Sequence, residues 1–525
     1  MHLRSRLSAM VRMMGMNGSP TGKKRRLLAV TSTMVPAIAL MLVSNGPSVA
    51  AKDGQPFHIT IMTDAFNIDH GAPDNPVIQA LEKYTNTQIT IEWVPNTNYE
   101  DKVNATLASG DLPQVMLILN KDGSFINAAK SGAFWDLTPY LKNYPNLSQA
   151  NPTILQNISV DGRVYGIYRS RPLGRNAIIY RKDWLKNLHL PVPKTIDDFY
   201  KMLYDFTYKD PDKNGKNDTY GMVVTSYTGP WDIIQTWFGV PNGWGFDKTG
   251  KLIPAQLTPE YMNALNFFHK LYVQHLVNKD FAVMPPDQWN TPFINGQAGV
   301  IVDAADRANQ IVKANPKLAD KIGILGAVRG PEGLRTLGTS GYAGFYVIPR
   351  KSVPTLSDLQ KVLAFLDKLN DKYAQNLLWN GIEGRQYKLV KGYVQPINTN
   401  NVTIHNEVND LNQLLMGIPT NRYYTTEPTP TSKLVNQVMA QNAKIVVPNP
   451  AAGLYSQTYA QQGTQLDNIL NDARIKYIVG QIDANGWKNA ISLWRKSGGD
   501  QYIKEINEDY QWVKKHGHLK YLALK

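Results

Sequence analysis

Residues 85–115 read TNTQITIEWVPNTNYEDKVNATLASGDLPQV, and the succession of patterns within them decides the fold. ITIEWV (89–94) has the composition of a strand. Tyr99, Val103 and Leu107 then recur at helical spacing, and Gly110 stops that helix. QVMLIL (114–119) is a short continuous apolar run, as expected of a strand covered on both sides. Upstream, FHITIM (57–62) is again strand-like. Asn75-Pro76 reads as a helix cap followed by proline at the first helical position, with Val77, Leu81 and Tyr84 on one face. The order β-α-β-α-β predicts an α/β fold with a parallel sheet flanked by helices.

The same alternation restarts further on. NAIIY (176–180) is a strand followed by the helix RKDWLKNL, and Thr195 with Asp198 three residues later forms a capping-box pattern ahead of IDDFYKMLYDF. YGMVVTS (220–226) and AGVIVD (298–303) are further strands, and Thr258-Pro259 opens another helix. From Thr355 the chain is mostly helical, broken at 380–387, 427–431 and 447–453. A chain of 525 residues is too long for one core. Two α/β lobes joined by several extended crossings account for this layout.

Hydrophobic content of 43% and a charged fraction of 19% belong to a soluble globular protein. The formal charge of +14 is concentrated at the start: seven of the 56 Lys/Arg lie in residues 1–50, which hold no acid. The remaining 49 face 42 acidic residues, a mildly basic surface and not a nucleic-acid footprint. KKRR (23–26), the apolar run LLAVTSTMVPAIALMLV (27–43) and the small residues of PSVAA (47–51) make an export signal over residues 1–50. The alternative is an uncleaved anchor, for which 17 apolar residues are at the short limit. With no cysteine, the chain gains no disulfide, and we expect no lipid on cysteine.

Five stretches, in the same order, resemble one family. They are 85–115, YRKDWLKNLHLPVPKTIDDFY (180–200), KDPDKNGKNDTYG (209–221), NGIEGRQY (380–387) and LWRKSGGDQYIKEIN (493–507). Together they look like the extracellular solute-binding proteins of family 1, in the large subgroup of Gram-positive bacteria that serves sugar-importing ABC transporters. The resemblance implies a periplasmic-binding-protein-like fold of two α/β lobes, a multi-strand hinge, and a ligand cleft between them. On that basis the N-terminal lobe is expected at 55–172 and 337–395, and the C-terminal lobe at 173–336 and 396–525. The crossings are then YRSRP (168–172), LGTSGYAGFYVIP (337–349) and VQPINTN (394–400). Implied partners are a carbohydrate and the permease subunits of a transporter. We expect a monomer that meets the membrane only through the permease or an uncleaved leader. The family's usual lipidated cysteine is missing here, so the expectation is an exported receptor that is not a cysteine-lipidated lipoprotein.

Asp210, Asp212, Asn214, Gly215 and Asp218 occupy positions 1, 3, 5, 6 and 9 of an EF-hand-like loop, with the Lys216 carbonyl at position 7. Position 12 is Gly221, so the bidentate glutamate is missing, and water or the Thr219 oxygen would have to complete the shell. Crowded carboxylates need a positive partner. The candidates are a structural Ca2+ and the loop's own Lys213 and Lys216.

A sugar receptor needs flat aromatic platforms and planar polar groups. Trp231 and Trp237 fall in YTGPWDIIQTWFGVPNGWGF, which reads as a loop after a strand, and Trp231 is the leading platform. Strand ends point into such clefts. That geometry selects Asp64, Phe66, Asn120, Asp303 and Asp306, with Arg171 and Arg175 at the first crossing and Tyr342 at the glycine-rich one. No HExxH, GxSxG or cysteine nucleophile is present, and GFDKTGKL (245–252) lacks the Ser/Thr of a phosphate-binding loop. No catalytic residue is expected. The alternatives are a receptor for a non-sugar solute, such as a peptide, and a secreted polysaccharide-acting enzyme.

Overall fold

The computed structural model describes residues 56–70, 74–420 and 422–517, so the leader lies outside the described residues. Five strands form the first sheet, in the order Thr87–Pro95, Phe57–Ala65, Val115–Ile118, Tyr342–Val347 and Gly166–Ser170. The first three are parallel, with Ile59 opposite Ile89 and Ile61 opposite Ile91. Tyr342–Val347 runs antiparallel to both of its neighbours. The Asn75 side chain accepts hydrogen bonds from the amides of Val77 and Ile78, starting the helix Pro76–Thr85 that buries Val77 and Leu81. Gly110, at φ 70°, ends the helix Tyr99–Ser109. The buried Tyr99 hydroxyl bonds to the Met62 and Leu117 carbonyls at 3.2 and 2.9 Å, tying that helix to two strands.

The second sheet has the order Ile322–Leu325, Asn176–Arg181, Ala298–Ala304, Tyr220–Met222. Period-two alternation divides its side chains. Ile178, Val300 and Val302 join a large core with Phe206, Leu466 and Trp487, while Ile179 and Ile301 face Val435 and Val438 on the other side. Both halves of the Thr195–Asp198 capping box form, opening the helix Ile196–Tyr208. That helix packs so closely that a Cβ on Gly299 would fall 2.2 Å from Phe206.

Among the described residues the protein is thus α/β, with two main sheets packed in separate cores and four two-stranded pairs beside them. The expected boundaries need two corrections. Leu411, Leu414, Met416 and Ile418 pack into the first core, although residues after 396 were assigned to the second lobe. The expected crossing at 394–400 is instead half of a hairpin, Tyr387–Val390 with Tyr393–Pro396, closed by Ile397 N–H to the Gln386 carbonyl (2.9 Å). The extended segments that lie side by side are 171–173, 336–341 and 446–447. They are tied by Arg171 N–H to Gly341 O (2.8 Å), Thr339 N–H to Leu173 O (3.0 Å), and pairing of Thr336 with Val446. GFDKTGKL is the turn of a second hairpin, Trp244–Phe246 with Leu252–Pro254.

Helix Gln457–Ile478 begins at Ser456, which accepts from the Tyr459 amide and donates to Glu505 of helix Asp500–His516 (2.6 Å). Thr458 gives Glu505 two more hydrogen bonds, at 2.9 and 2.8 Å, and Gln501 a fourth at 2.9 Å. Burial alone would raise this carboxyl, but these donors outweigh it and hold it down at about 2, from 4.5. A depressed carboxyl stabilises the fold above its unfolded pKa, and that stability is lost as pH falls. Denaturant titrations should therefore show the protein weakening between pH 4.5 and 2, with a flatter dependence for Glu505→Gln. Parallel curves would remove Glu505 as the cause.

Candidate ligand cleft

At the carboxyl end of strand Val115–Ile118 the chain turns through Lys121 and Asp122 into helix Gly123–Lys130. Asp122 caps that helix by accepting from the Phe125 amide (2.9 Å). A Cβ on Gly123 would lie 3.3 Å from Ala460, so this turn meets helix Gln457–Ile478 across a narrow gap. Between them is a cavity of about 390 Å³. Lys121, Asp122 and Ile126 line one wall; Trp244, Tyr459, Tyr502 and Asp467 line the other. The Tyr459 and Tyr502 rings stack at 4.5 Å and 20°, and Trp244 meets Tyr502 edge-on at 5.0 Å. The Tyr459 hydroxyl donates to Asp467 (2.8 Å). Lys121 donates to the Ser159 carbonyl (3.1 Å) and to that of Ala452. Burial pushes the Lys121 ammonium down to about 8, and burial pushes the nearby Asp509 carboxyl up to about 6. A flat aromatic wall facing an amine and carboxylates can hold a ring with an apolar face and a polar rim.

Of these cavity residues, the sequence pointed to Trp244 alone, as one of the tryptophans among Gly, Pro and Asn in 227–246. Tyr459 and Tyr502 lie on different helices, so no spacing joins them. The available signal was Tyr455 and Tyr459, four apart beside a helix cap.

The selected residues divide. Asp64 is buried and accepts from Arg169 (3.2 Å) and Asn96 (3.0 Å), while Arg169 also reaches Gln413. Phe66 is 64% exposed, its amide donating to Asp410 (3.1 Å). Asn120 donates to Glu100 (2.6 Å). Arg175 grips Asp306 with two bonds of 2.9 and 2.8 Å, and Arg307 holds Asp303 at 2.5 Å. Tyr342 packs edge-on against Phe345 (5.7 Å) and lines a second cavity of about 180 Å³ with Asn157, Asn242, Ser340 and Asn449. Tyr227, which was not selected, is 51% exposed and rests on Trp289.

Two assignments are corrected. Trp231 is 2% exposed, against Phe268 (4.7 Å) and Phe281 (5.5 Å), and Trp237 is fully buried against Phe199 (5.1 Å). Both stand on a helix, Gly229–Trp237, with Pro230 in its first turn; the stretch was read as a loop because of its Gly and Pro. Trp231→Ala should lower unfolding free energy by about 3–5 kcal/mol in urea titrations. A loss below 1 kcal/mol would contradict its core role.

The acidic loop is compact. Asp210 accepts from the amides of Asn214 and Gly215 (3.0 Å each), and the Asn214 carboxamide donates to Asp212 (2.9 Å) and Asp218 (3.1 Å). The Lys216 amide donates to Asn214 (2.7 Å). Among the described residues, no three acidic or imidazole side chains are placed to hold a metal ion. One oxygen of Asp212 is nevertheless buried without a partner, and burial, together with the adjacent Asp210, raises its carboxyl. The loop lysines form no ion pair with these acids among the described residues. Thr219 donates to the Phe206 carbonyl (2.8 Å), and Gly221 is fixed by contact with Leu203, so position 12 answers to helix packing.

An α/β protein with two large cores has the fold of the solute-binding class. Residues 67–375 match the bacterial extracellular solute-binding proteins, and the chain belongs to that family. It is 46% identical over 489 residues to lipoprotein LipO of Bacillus subtilis, covering 91% of this chain and 97% of that one. It is 35% identical over 475 residues to the polygalacturonan/rhamnogalacturonan-binding protein YtcQ of the same species, covering 89% and 94%. Among solved structures, an extracellular solute-binding protein from Bifidobacterium longum subsp. infantis matches with a TM-score of 0.68 at 20% identity, covering 88% and 99%. The substrate-binding protein FusA of S. pneumoniae, an EF-hand mutant in complex with fructo-nystose, matches at 0.58 and 19%, covering 87% and 100%.

The lipoprotein relative overturns one expectation. A receptor that is not lipidated was inferred from the missing cysteine, yet a relative aligned over most of the chain is a lipoprotein. The missing cysteine bears on one attachment chemistry within these 525 residues; it does not decide where the protein resides.

Proposed function

We propose that the protein is the carbohydrate receptor of an ABC importer, holding an oligosaccharide between its lobes and delivering it to the membrane permease without altering it. The observation that carries this reading is the gap of about 390 Å³ with Tyr459, Tyr502 and Trp244 on one wall and Lys121 and Asp122 on the other. Its volume lies in the range of small-molecule sites, roughly 300–1,000 Å³. The relatives bind saccharides of different charge, a polygalacturonan in one case and a fructo-oligosaccharide in another. They support the general class and leave the sugar open.

Closure follows from the layout. Segments 171–173 and 336–341 pass side by side between the two sheets and act as the hinge. A ligand touching both walls favours the closed form by the difference in its affinity for the two forms. We take the first lobe to continue to Ile418, and the protein to work as a monomer. Titration calorimetry with a saccharide panel, beside small-angle scattering, tests the reading: a bound sugar should shrink the radius of gyration and be recovered intact. Tyr459→Ala should cost about 1–3 kcal/mol of affinity. Release of cleaved product would make the protein an enzyme instead.

We also propose that the loop 210–218 takes a structural Ca2+. Asp210, Asp212, Asp218, the Asn214 oxygen and the Lys216 carbonyl would hold it, with Asn214 turned to present its oxygen. The unpartnered Asp212 oxygen supports this, and a bound ion would supply the missing positive charge. Calcium should raise the melting temperature by a few degrees, EDTA should reverse the rise, and Asp212→Ala should abolish it. Identical melting with either reagent, and no heat of binding, would leave the loop a plain turn.

A further inference from the structure

We infer that the ligand extends from the gap into the smaller cavity beside the hinge, and that this cavity holds one uncharged sugar unit by its hydroxyls, with Asn449 at the passage. This rests on the receptor reading above and deepens it: the ligand has at least two units, and the one at the hinge carries no charge.

Geometry joins the two cavities. Asn449 lines both the gap of about 390 Å³ and the cavity of about 180 Å³. The turn after it serves both as well, Ala451 lining the gap and Ala452 the smaller cavity. All three passing segments border the smaller cavity, through Leu173, Gly338 and Val446. Asn157 reaches it from a helix of the first core, and Asn242 from the chain just after Val240 of the second. A unit bound there touches both lobes where they join. The volume is below the roughly 300–1,000 Å³ of complete small-molecule sites, so it suits one ring of a longer ligand.

The lining decides the chemistry. Among the described residues, none that borders this cavity is charged. The Asn157 amide donates to the Ser340 carbonyl (2.8 Å), and its side-chain oxygen has no protein partner among the described residues. Asn242 is alike: its amide donates to the Gly338 and Val447 carbonyls (3.1 and 2.9 Å), and its oxygen is left over. Asn449 is the reverse. Its oxygen accepts from the Ala451 amide (2.9 Å), and its N–H groups are left over. The Tyr342 hydroxyl also lacks a protein partner among the described residues. Two acceptors, an amide donor and a phenol that does either are the complement of sugar hydroxyls, which both give and accept. A carboxylate or ammonium would lose its water here with no opposite charge to meet it. The gap differs, since Lys121, Asp122 and Asp467 line it.

The test is titration calorimetry on the full chain with galactose and 1,4-linked galactobiose, glucose and cellobiose, and galacturonic and digalacturonic acids. In a neutral series that binds, the dimer should bind roughly tenfold more tightly than its monomer, the scale of one or two net hydrogen bonds. Digalacturonic acid should show no such gain over galacturonic acid. The Thr153 hydroxyl makes no hydrogen bond among the described residues, so Thr153→Leu fills the cavity without breaking one. Asn449→Asp keeps the oxygen that the Ala451 amide needs and removes the donor. Each substitution should erase the dimer's advantage, and an unchanged melting temperature in either assigns the loss to the cavity. Equal affinity for dimer and monomer, or an advantage that survives both substitutions, overturns the inference and leaves the receptor standing. A gain for digalacturonic acid matching that of a neutral dimer overturns the uncharged unit. If none of these sugars and none of the wider saccharide panel binds, the receptor reading fails and this inference with it.

Discussion

The backbone hydrogen bonds from Arg171 to Gly341 and from Thr339 to Leu173 are the constraint on which the rest depends. They hold two passing segments together between the two cores. Tyr342 pairs with Ser170 a step further along, and Thr336 pairs with Val446 on the other side. Extended chain bonded sideways bends more readily than a packed core shears. The two sheets keep separate cores on either side of these segments.

Around the straps the polar groups have distinct tasks. Asp64, Arg169, Gln413 and Tyr346 form a buried network that fixes the first lobe's floor, with the Tyr346 hydroxyl donating to the Gln413 carbonyl at 2.8 Å. Arg175–Asp306 and Arg307–Asp303 are partly exposed pairs beside strand Ala298–Ala304 of the second sheet. Such pairs contribute little net stability, but they hold planar groups in one geometry, and a binding site needs that more than raw stability. The aromatic wall is built differently. Tyr459 and Tyr502 keep each other in place by stacking, and Asp467 anchors the Tyr459 hydroxyl.

Two readings of the sequence differ from the structure. Trp231 and Trp237 looked exposed because Gly and Pro surround them, yet Pro230 started a helix whose faces are all covered. The stretch 394–400 looked like a crossing, and a local hairpin captured it. Packing against distant segments decided the first, and pairing with the adjacent strand decided the second; neither is visible in composition alone. The capping at Asn75 and at Thr195–Asp198 was legible, since those bonds close within three residues.

By itself the sequence determined the α/β class, the strands and most helix starts, because period, capping and apolar runs are local properties of the chain. It also carried the motifs that identify the family. Only the tertiary structure decided which aromatics are buried in a core and which border the gap, and which carboxylates already have partners. Those are properties of neighbours far apart in the chain: Lys121 meets Ala452 across the two lobes, and Trp244 meets Tyr502 within the second.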